Sequence, residues 1–387
     1  MNHDDFSVWL FRRGIIRELI AEGHEVHIVC SDGPYVRRLV EMGVTHVHLD
    51  IPRFATPWRD LKGIVALTRI FMRHRYGIVH LFQVKLLAYG VIAGRLAGMR
   101  RCVGSSTGAG ILMNNYSDFR SRALQRLVRL LYSVTIPRLE RVLFQNDSDR
   151  DHFVAAGFVK QRNTVVVHGS GVNLEEYSEG GLDSAAAAAL RTRCGSSGNR
   201  VVVTMIARVV ASKGVREFLA AAEMVERKRP GAALFLLFGD VEPGNPDTLA
   251  SDEVRRREGE HFRWMGWTDQ VPEALAISDI VVLPSYREGT PRVLLEAMAM
   301  GKPIVTTDAP GCTNVIEHGR NGFMVPVRDI VGLGEAILAL VGDETKRDAF
   351  GRRSLLKVRE EFEEGMIARM IVERLYHLVP AVSAKVR

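Results

Sequence analysis

Two glutamates in the second half of the chain, Glu288 and Glu296, stand eight residues apart where the sequence predicts a loop followed by a helix. Thr290 can cap that helix, Pro291 suits its first position, where no N–H is needed, and Gly301 ends it. Because helical side chains lean toward the N-terminus, both carboxylates can reach the space beyond the preceding strand. The free N–H groups of the helix start favour an anion there, and carboxylates tolerate an anion when they accept hydrogen bonds from hydroxyl groups. The segment therefore predicts a site for a sugar joined to a nucleoside diphosphate.

Two cations form a second pattern, in the loop after the strand predicted at Arg200–Ile206. Arg208 and Lys213 stand five residues apart, and Gly214 opens the next helix. Arginine can grip a phosphate with two parallel hydrogen bonds and lysine acts as a point charge, so the loop predicts a cradle for a diphosphate. The spacing is not that of a P-loop. Taken alone, either pair of charges is more often a solvated surface feature, and only their combination favours a site.

The elements that must position these residues are short apolar runs alternating with helical patterns. In the first half the predicted strands are Glu25–Cys30, Thr45–Asp50, Gly77–Phe82, Arg101–Ser105, Arg141–Gln145 and Thr164–His168. In the second half they are Arg200–Ile206, Ala232–Phe238, His261–Trp264, Asp279–Leu283, Pro303–Thr307 and Phe323–Pro326. Continuous apolar strands separated by helices predict parallel sheets buried on both faces, in an α/β chain of two Rossmann-like, doubly wound domains.

The domain boundary is expected at the turn-rich stretch 179–184. We therefore predict a first domain at 1–182, a second at 183–365, and a C-terminal helix at 366–387 that packs back toward the first domain. Ligands of open α/β sheets lie beyond the carboxyl ends of the strands, so the facing loops should line a cleft.

The chain start is irregular for such a domain. The first helix is predicted directly after Asp5, where a strand and a loop normally come first. Either the true start lies upstream, or this chain has lost the strand.

The composition excludes several classes of protein. Apolar residues make up 47% and charged residues 25%, as in a globular protein, and no run approaches the roughly 20 apolar residues of a membrane span. Four scattered cysteines and no predicted secretion signal argue against a disulfide framework or a zinc site and favour a reducing cytoplasm. Residues 1–185 hold 24 Lys and Arg against 18 Asp and Glu, whereas the remainder holds 28 against 27. The excess of cations in the first half suits nucleic acid, an anionic membrane or phosphorylated substrates.

One predicted helix concentrates this charge. Arg122, Arg126 and Arg129 fall on one helical face, and the leucines at 124, 127, 130 and 131 fall on the other side. Such a helix can lie on an anionic membrane surface, here the inner face of the cytoplasmic membrane, or it can be an ordinary surface helix packed on its sheet.

The combined motifs resemble the donor half of the retaining glycosyltransferases of family 4, which have the GT-B fold of two Rossmann-like domains facing across a cleft. The motifs that carry the resemblance are Arg208 with Lys213-Gly214, Gly266-Trp267, Ser278-Asp279, the spacing from Glu288 to Glu296, Gly301-Lys-Pro-Ile-Val and Gly311. The first half matches more loosely, through Gly23-His24-Glu25-Val26, Ile78-Val79-His80 and Gly169-Ser-Gly-Val172. Thr107-Gly-Ala-Gly110 and Phe144-Gln-Asn146 are similar to a subgroup that acts on lipid-linked or lipopolysaccharide acceptors.

The resemblance implies a role for each matching residue. Arg208 and Lys213 would bind the diphosphate and stabilise it as it leaves, while Glu288 would touch the donor sugar and Glu296 the ribose hydroxyls. The remaining donor contacts would come from backbone at the helix start and after a strand, namely Gly289, Thr290, Pro291, Gly266 and Trp267.

The first half offers a weaker set of candidates. Thr107, Gly108 and Gly110 form a glycine-containing loop that can approach a phosphate or an acceptor, or can be an ordinary turn. His80 ends a predicted strand and is either an acceptor contact or a hydrogen-bonded structural histidine. Many members of the family carry a twin-glycine loop after the first strand and a catalytically placed histidine in the N-terminal half. This chain shows neither, and it reads Gly239-Asp-Val-Glu-Pro where a Gly-x-Gly loop is common.

These residues predict transfer of a sugar from a nucleoside diphosphate to a hydroxyl acceptor with retention of anomeric configuration. The resemblance points to a uridine-linked, N-acetylated sugar and a lipid-linked or lipopolysaccharide acceptor. We expect no cofactor and no metal, since no spacing of His, Asp and Glu argues for a metal site, and no nucleic-acid partner. The alternatives are a nucleotide-sugar epimerase on the same architecture and a non-catalytic basic binding protein; a dehydrogenase is disfavoured because no strand precedes Gly-x-Gly-x-x-Gly.

Overall fold

The computed structural model describes residues 1–51, 57–99, 101–106, 119–195 and 200–377. The chain divides into two compact units, one formed by Met1–Gly171 with Gly365–Arg387 and the other by Val172–Glu364. The second unit begins eleven residues before the expected boundary because Val172 pairs with its far end: its N–H donates to the carbonyl of Phe362 (2.9 Å) and its carbonyl accepts from Glu364 (3.0 Å). The turn-rich stretch at 179–184 therefore lies inside the second unit.

The described residues of the first unit form six short parallel strands in two sheets. The strands are β1 (His27–Cys30), β2 (Thr45–His48), β3 (Val79–Phe82), β4 (Cys102–Ser106), β5 (Arg141–Phe144) and β6 (Thr164–Val166). The first two pair with each other, and the other four form a sheet in chain order. All six are strands that the apolar runs predict, and their parallel pairing is confirmed.

Residues 1–3 run between the two sheets of this unit. The carbonyl of Met1 accepts from the N–H of Phe82 in β3, and the N–H of Asn2 donates to the carbonyl of Val29 in β1 (3.1 Å). Helix α1 follows at once, because Asp4 caps it by accepting from the N–H of Ser7 (2.7 Å). The three residues thus lie where a central strand would join the two sheets.

Helices cover both faces of the first unit. They are α1 (Asp5–Ala21), α2 (Val36–Glu41), α3 (Pro57–His74), α4 (Val84–Leu96), α5 (Phe119–Thr135), α6 (Asp147–Ala155) and, after the second unit, α14 (Glu364–Ile371) with a π-helical turn at Val372–His377. Buried residues of α3, α4 and α5 share one core with the strands. Buried residues of α1 and the C-terminal segment share another, so the chain end packs on the first unit.

In the second unit, the residues that the structure describes form one six-stranded parallel sheet in the order β12-β11-β10-β7-β8-β9. Its strands are β7 (Val201–Ile206), β8 (Ala233–Phe238), β9 (Phe262–Gly266), β10 (Ile280–Leu283), β11 (Ile304–Thr307) and β12 (Gly322–Val325). Its helices are α7 (Ser184–Arg193), α8 (Val215–Lys228), α9 (Ser251–Arg255), α10 (Val271–Ala276), α11 (Arg292–Ala299), α12 (Ile330–Val341) and α13 (Glu344–Glu361). The strand order reverses between β7 and β10, which is the position where doubly wound sheets bind ligands.

Candidate functional site

The loops after β7 and β10 meet at that position. Lys213 ends a 3₁₀ turn, Ala211–Lys213, just after β7, and Glu288 lies on the loop after β10. The Lys213 Nζ atom lies 2.5 Å from Oε1 of Glu288, and both side chains are mostly buried. Because β7 and β10 are neighbouring parallel strands, their carboxyl ends bring a cation and a carboxylate together.

Gly214 allows this close approach. It adopts the left-handed conformation with φ 75°, and a Cβ atom there would lie 2.0 Å from the carbonyl oxygen of Pro284. Any other residue would push the two loops apart. The N–H of Tyr286 also donates to the carbonyl of Ser212 (2.9 Å), which fixes the loops side by side.

Glu288 is held from several directions. Its Oε1 accepts a hydrogen bond from the Ser285 hydroxyl (2.6 Å), and its N–H donates to the carbonyl of Pro310 (3.0 Å). Gly311 is required behind it, because a Cβ atom there would lie 2.3 Å from the carbonyl of Gly289. Burial, with the charge of Glu288 as a second cause, raises the pKa of the Cys312 thiol to about 12, so this cysteine stays protonated. These contacts therefore fix the position of the Glu288 carboxylate.

Arg208 has a different partner. Its guanidinium pairs with Glu242, which also accepts from the Asn245 side-chain amide (2.7 Å). The 242–249 loop is joined to the Arg208 loop by backbone bonds, among them Leu249 N–H to the Val209 carbonyl (3.1 Å). Arg208 remains 48% exposed, so its outer side is open to a ligand.

Glu296 lies on α11 and is buried. It accepts from Nε of Arg292 one turn earlier (2.7 Å), and both side chains are less than a tenth exposed. Burial, followed by the charge of Glu296, raises the pKa of Tyr177, whose hydroxyl is hydrogen-bonded to that carboxylate. Pro291 is the N-cap of α11 rather than its first residue, because its ψ of 107° is extended, so the expected position was wrong by one residue. Thr290 and Gly289 precede it on the loop.

Gly266 and Trp267 lie at the end of β9, which extends two residues beyond the strand predicted at His261–Trp264. Gly266 is the last residue of β9, with φ 73°, and its carbonyl accepts from the N–H of Gly239 (2.8 Å) at the end of β8. The ring of Trp267 is exposed. A flat aromatic surface beside the carboxyl ends of the strands suits stacking with a nucleobase.

His80 of the first unit has a hydrogen-bonded environment. Its Nδ1 atom lies 2.6 Å from the Tyr376 hydroxyl and its Nε2 atom 2.7 Å from the Ser105 hydroxyl. Burial lowers its pKa well below the usual value, so the ring is neutral. These contacts match a structural histidine that ties the C-terminal segment to β4. Thr107, Gly108 and Gly110 lie outside the described residues.

The basic helix α5 exposes more than its arginines. Arg122, Arg126 and Arg129 are exposed, as predicted for one helical face. Leu127 and Leu130 are also exposed and do not pack on the sheet. The buried face is formed instead by Val128, Tyr132 and Thr135, spaced by four and three residues.

Two family models match the chain. One, described as Glycosyl transferases group 1, matches residues 200–343, and the other, described as Glycosyl transferase 4-like domain, matches residues 8–169. The chain belongs to these glycosyltransferases.

Two curated relatives span most of the glycosyltransferase. It is 26% identical, over 98% of both chains, to the N,N'-diacetylbacillosaminyl-diphospho-undecaprenol alpha-1,3-N-acetylgalactosaminyltransferase of Campylobacter jejuni. It is 23% identical to the UDP-Gal:alpha-D-GlcNAc-diphosphoundecaprenol alpha-1,3-galactosyltransferase of Escherichia coli, over 84% of this chain and 81% of that one. The resemblance read from the motifs is confirmed, and the interpretation as a non-catalytic binding protein was wrong.

A solved structure supports the fold. HepE of Anabaena in complex with UDP-glucose superimposes with a TM-score of 0.75 at 21% identity, covering 93% of this chain and 95% of that one. With two parallel-sheet units, the glycosyltransferase has the expected GT-B fold. Within the described ranges, no cluster of metal-ligating side chains is found, and no helix has the length and apolarity to span a membrane.

The sequence missed several residues of this site. The spacing from Arg292 to Glu296, one helical turn, was a usable signal for their ion pair. Ser285 stands directly after the strand and could have been included on position alone. Glu242 and Tyr177 gave no signal, because their contacts depend on loops folding back onto the strand ends.

Proposed function

We propose that the second unit of this glycosyltransferase binds a nucleoside-diphosphate sugar beyond the carboxyl ends of β7, β8 and β10, and that the enzyme transfers the sugar to a lipid-linked saccharide. The contact between Lys213 and Glu288 carries the proposal. A cation suited to a diphosphate and a carboxylate suited to a hydroxyl meet at the switch point of the sheet. The named donor of the E. coli relative and the UDP-glucose bound to HepE support a uridine nucleotide.

The chemistry that these residues supply is electrostatic. When the bond between the anomeric carbon and the diphosphate breaks, negative charge grows on the departing oxygen. Lys213 and Arg208 neutralise that charge, and a donor would take over the positions that Glu288 and Glu242 now occupy on these cations. Glu288 would then accept from a sugar hydroxyl, and the buried Glu296 from the ribose. Two protein cations give the departing charge a counter-ion without a metal, and we propose metal-independent transfer with retention of configuration.

The acceptor and its setting are part of the proposal. The names of both relatives specify sugars linked through diphosphate to undecaprenol, which supports a lipid-linked acceptor here. The galactosamine relative supports an N-acetylated sugar. A lipid acceptor lies in a membrane, and the exposed Arg122, Arg126 and Arg129 of α5 would contact its anionic surface as a peripheral protein does.

The test is a transfer assay on the purified full chain. UDP-sugars, including UDP-N-acetylgalactosamine and UDP-galactose, are supplied with and without an undecaprenyl-diphosphate-linked saccharide, with and without EDTA. We expect product only with acceptor, in equal amounts with EDTA, and with an anomeric proton coupling that matches the donor. Conversion of the UDP-sugar without acceptor would support the epimerase instead, and an inverted coupling would contradict retention.

A further inference from the structure

Helix α3 (Pro57–His74) exposes a line of large apolar side chains. Trp58, Leu61, Val65 and Met72 are spaced by three, four and seven residues and lie along one side of the helix. Trp58 is 80% exposed and Met72 58%, while Leu67 and Phe71 on the opposite side are fully buried. The helix therefore already has a packed face, and this exposed line needs a separate explanation.

The exposed charges that α3 itself carries beside this line are all positive, and one of them, Arg59, pairs with Asp50 before the helix (2.9 Å). Arg59, Lys62, Arg69 and Arg73 are exposed next to it. The acidic residue of the helix, Asp60, is buried and paired with Lys85 of α4 (2.7 Å), so its charge is neutralised internally. Among the α3 side chains that the structure describes, the exposed ones are apolar or basic.

Helix α5 repeats this composition in the same layer. Both α3 and α5 pack against α4 and contribute to one core, and α4 between them is largely buried. On α5, Leu127, Leu130 and Val134 are exposed next to the arginines at 122, 126 and 129. Two helices flanking a buried one thus each present apolar side chains bordered by cations.

We propose that α3 is a second membrane-binding helix, which lies on an anionic lipid surface together with α5. Apolar side chains can enter the boundary between head groups and acyl chains, tryptophan favours that boundary, and the cations attract the anionic head groups. Pairing with a second copy would place like charges against each other, so the charge pattern favours lipid. The inference deepens the proposed function, because a lipid-linked acceptor is reached only at a membrane.

The test is binding of the full-length protein to vesicles. The variant carrying Trp58→Ser and Leu61→Ser, called the α3 variant, is compared with a Leu96→Ser control. Leu96 is 66% exposed but lies on α4, outside the exposed apolar side chains of α3 and α5. We expect the α3 variant to lose about tenfold or more in partitioning to phosphatidylglycerol-rich vesicles, and the control to match the wild type. Arg69→Gln should lose about fivefold, and neutral phosphatidylcholine vesicles should bind weakly. Trp58→Phe should retain binding.

Three outcomes would overturn the inference. In the first, the α3 variant binds vesicles as strongly as the wild type. In the second, the Leu96→Ser control loses as much binding as the α3 variant. In the third, sedimentation velocity shows that the wild type is a dimer and the α3 variant a monomer. Transfer to a short-chain, water-soluble acceptor separates this inference from the proposed function. The α3 variant should keep the wild-type rate on that acceptor and lose rate only with acceptor embedded in vesicles. Absence of transfer by the wild type on both acceptors would contradict the proposed function alone, since vesicle binding is measured without donor.

Discussion

The two units of this glycosyltransferase use their cations in opposite ways. In the second unit, Arg208 and Lys213 stand at strand ends and are matched by carboxylates on neighbouring loops. In the first unit, the cations of α3 and α5 are spread along helix surfaces beside exposed apolar side chains. Paired charges in a small space suit one compact ligand that replaces the partners, whereas rows of cations suit an extended anionic surface. On this difference we base the proposal that the second unit serves donor chemistry and the first unit serves membrane contact.

The largest expected effect sharpens the role of the second unit. Arg208→Ala or Lys213→Ala should lower kcat by about 10²–10³, because each removes a cation from the departing diphosphate. The melting temperature should change little for Arg208, whose side chain is about half exposed. Steady-state transfer rates with saturating acceptor measure this effect. Arg257→Ala, which breaks an exposed ion pair with Glu223 in the same unit, is the matched control and should keep the wild-type rate.

A smaller effect is expected at the ribose contact. Glu296→Gln keeps the shape of the side chain but removes its charge, so hydroxyl binding weakens and the KM for the UDP-sugar should rise about tenfold. The kcat value should fall less than for Lys213→Ala, since the proposed contact of Glu296 is with the ribose and not with the departing oxygen. Initial rates over a range of donor concentrations separate the two parameters. A tenfold fall in kcat with unchanged KM would contradict this assignment.

The ion pair between Arg208 and Glu242 predicts that one substitution increases the affinity for UDP. If Arg208 binds the donor diphosphate as proposed, its partner Glu242 competes with that diphosphate, so Glu242→Gln should lower the Kd for UDP by about fivefold. Isothermal titration calorimetry measures the change. Glu253→Gln, which removes the partner of Arg216, provides the control. Weaker UDP binding in Glu242→Gln would mean that this carboxylate positions Arg208 for the diphosphate instead of competing with it.

The smallest expected effect is that of a substitution in the first unit, which should change stability but not the transfer rate. Tyr376→Phe removes a hydrogen bond to His80 and should reduce the free energy of unfolding by about 1 kcal/mol, with the transfer rate within about twofold of wild type.

The same histidine predicts a pH dependence of stability. Burial holds His80 neutral in the folded state, whereas in the unfolded chain its ring binds a proton near pH 6.5. The free energy of unfolding should therefore decrease as the pH falls below about 6.5. Urea unfolding at several pH values tests both statements, and an increase on acidification would contradict the second.

Much of the fold could be predicted because buried parallel strands leave a strong local signal. The run Val201–Ile206 is apolar throughout except for Thr204, and all but its last residue are buried. Gly301 ends α11 in a left-handed conformation with φ 64°, as its position after the helical pattern predicts. The meeting of Lys213 and Glu288 also follows from sequence, once both are placed after strands of one sheet.

The remaining features depend on packing that the sequence does not determine locally. Periodicity on α5 shows two apolar sides, and only the structure shows that Val128 and Tyr132 face the core while Leu127 faces solvent. Glu242 reaches Arg208 because its loop pairs with the loop after β7, and loop pairing leaves no periodic signal. The sequence of α3 likewise cannot show which of its apolar sides is buried, so the exposed line resembles a packing face in sequence.

The central claim is that the strand ends of the second unit bind the diphosphate of a uridine nucleotide. Calorimetric titration of UDP into the full chain, the Lys213→Ala and Arg208→Ala variants, and the Arg257→Ala control tests it most directly. A charge-assisted hydrogen bond contributes about 1.5–3 kcal/mol, so each site variant should bind UDP about 10- to 100-fold more weakly than the wild type, and the control equally well. Equal UDP affinity in all four proteins would contradict the claim.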